Sequence, residues 1–146
     1  MIRRLLIVCL LAAGCAGLDS SPADIALGSD ACAHCRMTIL SLATTAEIVG
    51  PGREPVLFDE FACLRDYLAA APIAHDDRVY VADHRTGAWI DGRMAVFTRT
   101  LEQTPMGSGL LAHVDTASRD ADPAAVRGAL VSGAQILGPH TAGSGR

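Results

Sequence analysis

Residues 37–82 read MTILSLATTAEIVGPGREPVLFDEFACLRDYLAAAPIAHDDRVYVA, and their order of patterns decides the fold class. Met37 to Val49 is rich in Thr, Ile, Val and Leu with partial alternation. Gly50-Pro51-Gly52-Arg53 then breaks the run before the short apolar stretch Pro55 to Phe58. This predicts a β-hairpin closed by a Gly/Pro turn. Asp59 follows as an N-cap candidate, and Phe61, Leu64, Tyr67 and Leu68 recur at helical spacing until Pro72, so residues 60–71 are expected to be an amphipathic helix. Arg78 to Ala82 returns to a strand pattern.

Further along, Ala88 to Asp91 and Met94 to Thr98 read as strands around an Asp91-Gly92 turn, and Leu110 to Val114 as another. Pro123 to Val131 reads as a helix and Ala134 to Leu137 as a closing strand. The expected architecture is α+β: two successive ββαβ-like units, about 30–84 and 85–138, in one compact domain spanning 30–138. A tail of small and polar residues, 139–146, follows.

Upstream, residues 1–14 carry Arg3 and Arg4 and then an apolar run from Leu5 to Ala13. That is a secretory signal pattern. A run of about nine residues is far short of the roughly 20 that span a bilayer as a helix. Ala13-Gly14-Cys15 resembles a lipobox, with Ala12 where Leu is usual, so Cys15 is expected to become the lipidated first residue. Ala16 rather than Asp follows it, which favours the outer membrane over the inner. Residues 15–29 would be the acylated cysteine and a flexible tether, leaving the domain facing the periplasm.

The 12 basic residues are all arginine and scattered, and losing Arg3 and Arg4 takes the formal charge from −4 to −6. No basic stripe points to nucleic acid. Of the five cysteines, Cys9 leaves with the signal and Cys15 is acylated, leaving Cys32, Cys35 and Cys63 as thiols in an oxidising compartment. An odd number means that at least one stays free or binds something.

Cys32-Ala33-His34-Cys35-Arg36-Met37 is the densest group of soft ligands in the chain. Thiolate with thioether is the donor set that selects Cu(I). If the backbone is already extended there, Cys35 and Met37 share one face with α-carbons ~6.5–7 Å apart. His34 and Arg36 then point away, which discounts His34. A lone Met37 would read as a core residue opening a strand, and its position beside Cys35 is what makes it a ligand candidate. Met106, in the loop Pro105-Met106-Gly107-Ser108-Gly109, is a candidate third sulfur ligand. Cys32 and His113 are secondary candidates, a histidine in an apolar strand being more often structural.

Cys63, between Phe61 and Leu64, reads as a small buried hydrophobe, and His75, Asp76 and Asp77 as a solvated loop. Two other readings remain open. Cys32 and Cys35 form a C-x-x-C that would suit a periplasmic thiol–disulfide oxidoreductase, or a structural disulfide pinning the start of the fold. Zinc held by Cys32, His34 and Cys35 lacks a fourth ligand. No phosphate loop, HExxH or nucleophile elbow is present, so a binding protein is expected rather than an enzyme.

Taken together, the lipoprotein signal, Cys35-Arg36-Met37 ahead of a β-rich run, the Phe58-Asp59 to Tyr67 helix, the Val79 to Asp83 strand and the later Met106-Gly107 resemble the NosL family, lipoprotein accessory factors of nitrous oxide reductase. The resemblance covers roughly residues 28–138. It implies a copper chaperone of two ββαβ units that delivers Cu(I) to the maturation complex of nitrous oxide reductase in denitrification, or to another cuproprotein client. Its ligands would fall on Cys35, Met37 and Met106, with Arg36 where the family often has glycine.

Overall fold

A computed structural model describes residues 21–138. The signal at residues 1–14, the lipidation position Cys15 and the tail from 139 onward lie outside them.

The first unit is built on β1 (Ala46–Val49) and β2 (Val56–Phe58), the expected hairpin, with Ala46 opposite Phe58. Every residue of β1 is buried, because β1 is flanked by β2 and β3 and covered on both faces. Ala46 and Ile48 enter the core, and Glu47 lies on the other face, where its carboxylate accepts the Ala23 N–H at 3.0 and 3.2 Å. The chain is therefore already held at Ala23, and Gly28 donates to the Ile39 carbonyl at 2.9 Å. This corrects the expectation of a free tether up to residue 29.

Helix α1 (Phe61–Ala70) follows, within a residue of the expected span. Its N-cap is Glu60 rather than Asp59, and Glu60 makes no side-chain cap bond. The helix ends with the Ala71 N–H on the Tyr67 carbonyl, immediately before Pro72, whose ring cannot continue it. Phe61 and Leu64 are fully buried. Burying each such side chain contributes about 1.5–3 kcal/mol. β3 (Arg78–Ala82) then pairs antiparallel with β1, and β4 (Trp89–Asp91) with β3. The sheet order is β2-β1-β3-β4.

The second unit has β5 (Val96–Arg99), β6 (Leu110–His113), α2 (Thr116–Asp120) and β7 (Ala129–Val131), with sheet order β6-β5-β7. In both units the first strand is central, the second flanks it on one side, and the third, after a helix, flanks it on the other. The chain thus folds as two ββαβ units in an α+β domain, as expected. Phe61 of α1 meets Phe97 of β5 edge-on, ring centroids 5.8 Å apart, so the two units share one core.

Three local expectations are corrected. β4 joins the first sheet instead of forming a hairpin with β5. Residues 123–131 are not a helix. Asp115 caps the short α2 by accepting the Ser118 N–H at 2.6 Å, and Ala129–Val131 is recruited as an edge strand against β5. Residues 133–137 form helix α3 (Gly133–Leu137) rather than a strand, because Ser132 and Gln135 complete a reciprocal capping box. Its Ile136 and Leu137 are buried in the core.

Asp83, just past β3, staples the units together. Its carboxylate accepts Val114 N–H at 3.0 Å and the Arg85 and Thr86 N–H groups at 3.1 and 3.0 Å, while the next residue, His84, donates to the Ala112 carbonyl at 2.9 Å. Burial pushes the Asp83 carboxyl up, but these donors outweigh it and hold it below the usual range.

Candidate metal centre

The soft-ligand cluster lies at the tip of a small hairpin. Ala31 bridges Thr38, the Cys32 N–H donates to the Met37 carbonyl at 2.8 Å, and the Arg36 N–H returns to the Cys32 carbonyl at 3.0 Å. Closing so tight a loop puts Arg36 in the left-handed region at φ 67°, a conformation that favours glycine. The Ala33 N–H donates to the Leu57 carbonyl at 2.8 Å, docking the knuckle on the free edge of β2. The extended geometry expected for residues 35–37 is therefore corrected: Cys35 sits in a turn and the left-handed Arg36 breaks the two-residue alternation.

Folding the knuckle back brings Cys32 and Cys35 to the start of α1, whose first turn carries Cys63. The three sulfurs lie within 4.8 Å of one another, and all three are free thiols. Cys32 and Cys63 are buried and Cys35 is half-buried. Cys63 is the small buried core residue expected, and it is also part of the group. The odd thiol count was the signal that could have drawn attention to it.

Burial pushes the Cys32 thiol up, but the N–H groups of Asp59, Cys35 and His34 aimed at its sulfur outweigh that and hold it below the ordinary value. Cys63 behaves oppositely: burial first, and the neighbouring Cys32 charge second, push its thiol far up. The trio therefore sets Cys63, a thiol that resists losing its proton, beside Cys32, one that loses it more readily than usual. A bound cation would reverse that balance by displacing the proton. A metal with three sulfur bonds of ~2.3 Å in one plane needs sulfurs ~4 Å apart, which this spacing accommodates. Among the described residues the group has no fourth His, Cys, Asp or Glu, so it falls one ligand short of a closed tetrahedral zinc site.

The two methionines occupy loops at this end of the molecule. Met37 closes the knuckle through its carbonyl, and its side chain is 45% exposed. Met106 is 49% exposed, and its backbone N–H donates to the fully buried carboxylate of Glu60. The same carboxylate accepts Thr104 Oγ1 at 2.9 Å and Ser108 N–H at 3.1 Å. Gly109 completes the loop at φ 65°, where a side chain would collide with the Thr100 carbonyl oxygen. The N-terminal end of α1 thus gathers the thiols through Asp59 and Cys63 and the Met106 loop through Glu60. His34 is exposed. His113 is buried and bonds Asp122 at 2.9 Å, grouping with Asp122 and His84 rather than with the thiols.

No protein-family model matches the sequence, and no curated protein matches it. Among solved structures, the crystal structure of the copper chaperone NosL from Shewanella denitrificans is similar, with a TM-score of 0.62 at 18% identity, over 78% of this chain and 93% of that one. At that identity the likeness speaks to architecture, and this chain has the fold of NosL.

Proposed function

We propose that this protein binds Cu(I) and hands it to a client, as a lipid-anchored metallochaperone facing the periplasm. The observation that carries the reading is the convergence of Cys32, Cys35 and Cys63 within 4.8 Å at the α1 end where the Met106 loop is also tied. Buried Cys32 and Cys63 would hold the ion, and half-buried Cys35 with solvent-facing Met37 and Met106 would offer it outward. Thioethers are weaker, neutral donors, so they suit the exchanging side of such a site.

The NosL likeness supports copper as the cargo. The family resemblance of the sequence makes the maturation complex of nitrous oxide reductase the first client to try, with other cuproproteins as alternatives. Anchoring through Cys15, on the outer membrane, is proposed from the N-terminal sequence alone.

An anaerobic Cu(I) competition titration of the full chain tests the reading. We expect one tightly held Cu(I) per chain, weakened at least tenfold by Cys35→Ser and less by Met37→Leu or Met106→Leu. Absence of Cu(I) uptake by the reduced protein would overturn it and return attention to the Cys32 and Cys35 pair as a redox couple.

A further inference from the structure

We propose that His84, His113 and Asp122 form a second metal site, for a borderline divalent cation of the zinc(II) or copper(II) type, distinct from the thiol cluster. One ring nitrogen from each histidine and one oxygen of Asp122 lie within 4.8 Å of each other. Both nitrogens aim at the same atom: His84 Nδ1 is 2.6 Å and His113 Nε2 2.9 Å from Asp122 Oδ2. The rings stand 64° apart with centroids separated by 6.0 Å, so their nitrogens converge while the rings do not stack.

The three groups come from distant points of the chain and are fixed by the backbone. His84 is held by its N–H on the Ala112 carbonyl, beside His113 at the end of β6. Asp122 is held by accepting the Ala124 N–H at 2.9 Å through its other oxygen, Oδ1. That leaves Oδ2 free of backbone donors and available to a cation. His113 is fully buried, and its second nitrogen, Nδ1, has no partner. Nε2 is therefore the nitrogen that faces the carboxylate and the one that would ligate.

Two imidazoles and a carboxylate suit zinc(II) or copper(II), not the soft Cu(I) of the thiol group. Metal–ligand bonds of ~2.0–2.1 Å place neighbouring donors ~3.3 Å apart, so the nitrogens need retreat from Oδ2 only by a fraction of an ångström once the shared protons leave. Access exists: His84 is one-quarter exposed and lines an open cavity of about 410 Å³ together with Thr44, Glu102 and Gln103.

The test is zinc(II) competition against a chromogenic chelator, using the full chain with Cys32, Cys35 and Cys63 all replaced by Ser, so that the thiol cluster does not contribute. We expect one equivalent of zinc(II), bound at least tenfold more weakly after His84→Ala or Asp122→Asn. No uptake by the folded triple-serine protein, or uptake unchanged by His84→Ala, overturns the proposal. If the triple-serine protein does not fold, X-ray absorption of the wild-type chain loaded with two equivalents of zinc(II) decides. A nitrogen and oxygen shell alongside the sulfur shell supports the second site, and sulfur neighbours alone overturn it.

Discussion

The buried carboxylate of Glu60, at the start of α1, accepts the backbone N–H of Met106, forty-six residues further on. Its other contacts, to Thr104 and Ser108, make it the organiser of the whole loop. Glu60→Gln turns an amide N–H₂ toward donors that need acceptors. We expect a loss of about 2–3 kcal/mol, since bonds to a charged group contribute about 1.5–3 kcal/mol each and part is retained. Thermal denaturation measures it, and a Tm within 1 °C of wild type, on the order of a few tenths of a kcal/mol, would contradict it.

Cys63 is the test of whether the thiols work as three. Cys63→Ser should leave Cys32 and Cys35 as the only thiolates available to Cu(I). The expected result is at least a tenfold lower affinity, with the near-ultraviolet thiolate-to-copper absorbance reduced. Chelator competition and absorbance read both, and an affinity equal to wild type would confine Cys63 to packing.

Arg36 in the left-handed region costs about 1 kcal/mol relative to glycine, which pays back part of that through its greater chain entropy. Arg36→Gly should therefore raise stability by up to about 1 kcal/mol, or ~3–5 °C in Tm. Copper affinity should change little, because the knuckle is already closed by the Cys32 to Met37 and Arg36 to Cys32 bonds. A lower Tm would mean that Arg36 makes contributions beyond its backbone.

Glu47 gives the fold a pH dependence. Burial pushes its carboxyl from the ordinary 4.5 up to about 7, against the smaller opposing pull of the Ala23 N–H. Between those values the folded chain holds a proton that the unfolded chain has lost, so stability falls as pH rises from 4.5 to about 7. The span corresponds to at most about 3 kcal/mol. Denaturant unfolding of wild type and Glu47→Gln across this window should show wild type losing ground to the variant as pH rises. Parallel curves would remove Glu47 as the cause.

The sequence exposed the fold wherever a periodic pattern was strong. Phe61, Leu64 and Leu68 marked α1, and Arg78–Ala82 marked β3 to the residue. It misled where tertiary partners overrode propensity: Ala129–Val131 is a strand because β5 has an open edge, and Gly133–Leu137 is a helix because Ser132 and Gln135 cap it. At the metal centre the sequence showed Cys32, Cys35 and the methionines as soft donors. It could not show that the knuckle folds back onto α1, since the left-handed Arg36 leaves no signature in residue type. Cys63 and the His84, His113 and Asp122 group are assembled only by the packing of the two units.

The bond between Ala23 and Glu47 sets a length. For a chain held in a membrane at Cys15, only the eight steps to Ala23 are left to lift the domain, and fully stretched they reach about 29 Å. Such a leash is shorter than the width of the domain itself, roughly 35 Å for a compact chain of this size. Copper would be exchanged in a thin layer next to the bilayer, so a client would have to be a membrane neighbour or come down to meet it, and local crowding at the surface would matter more than bulk concentration.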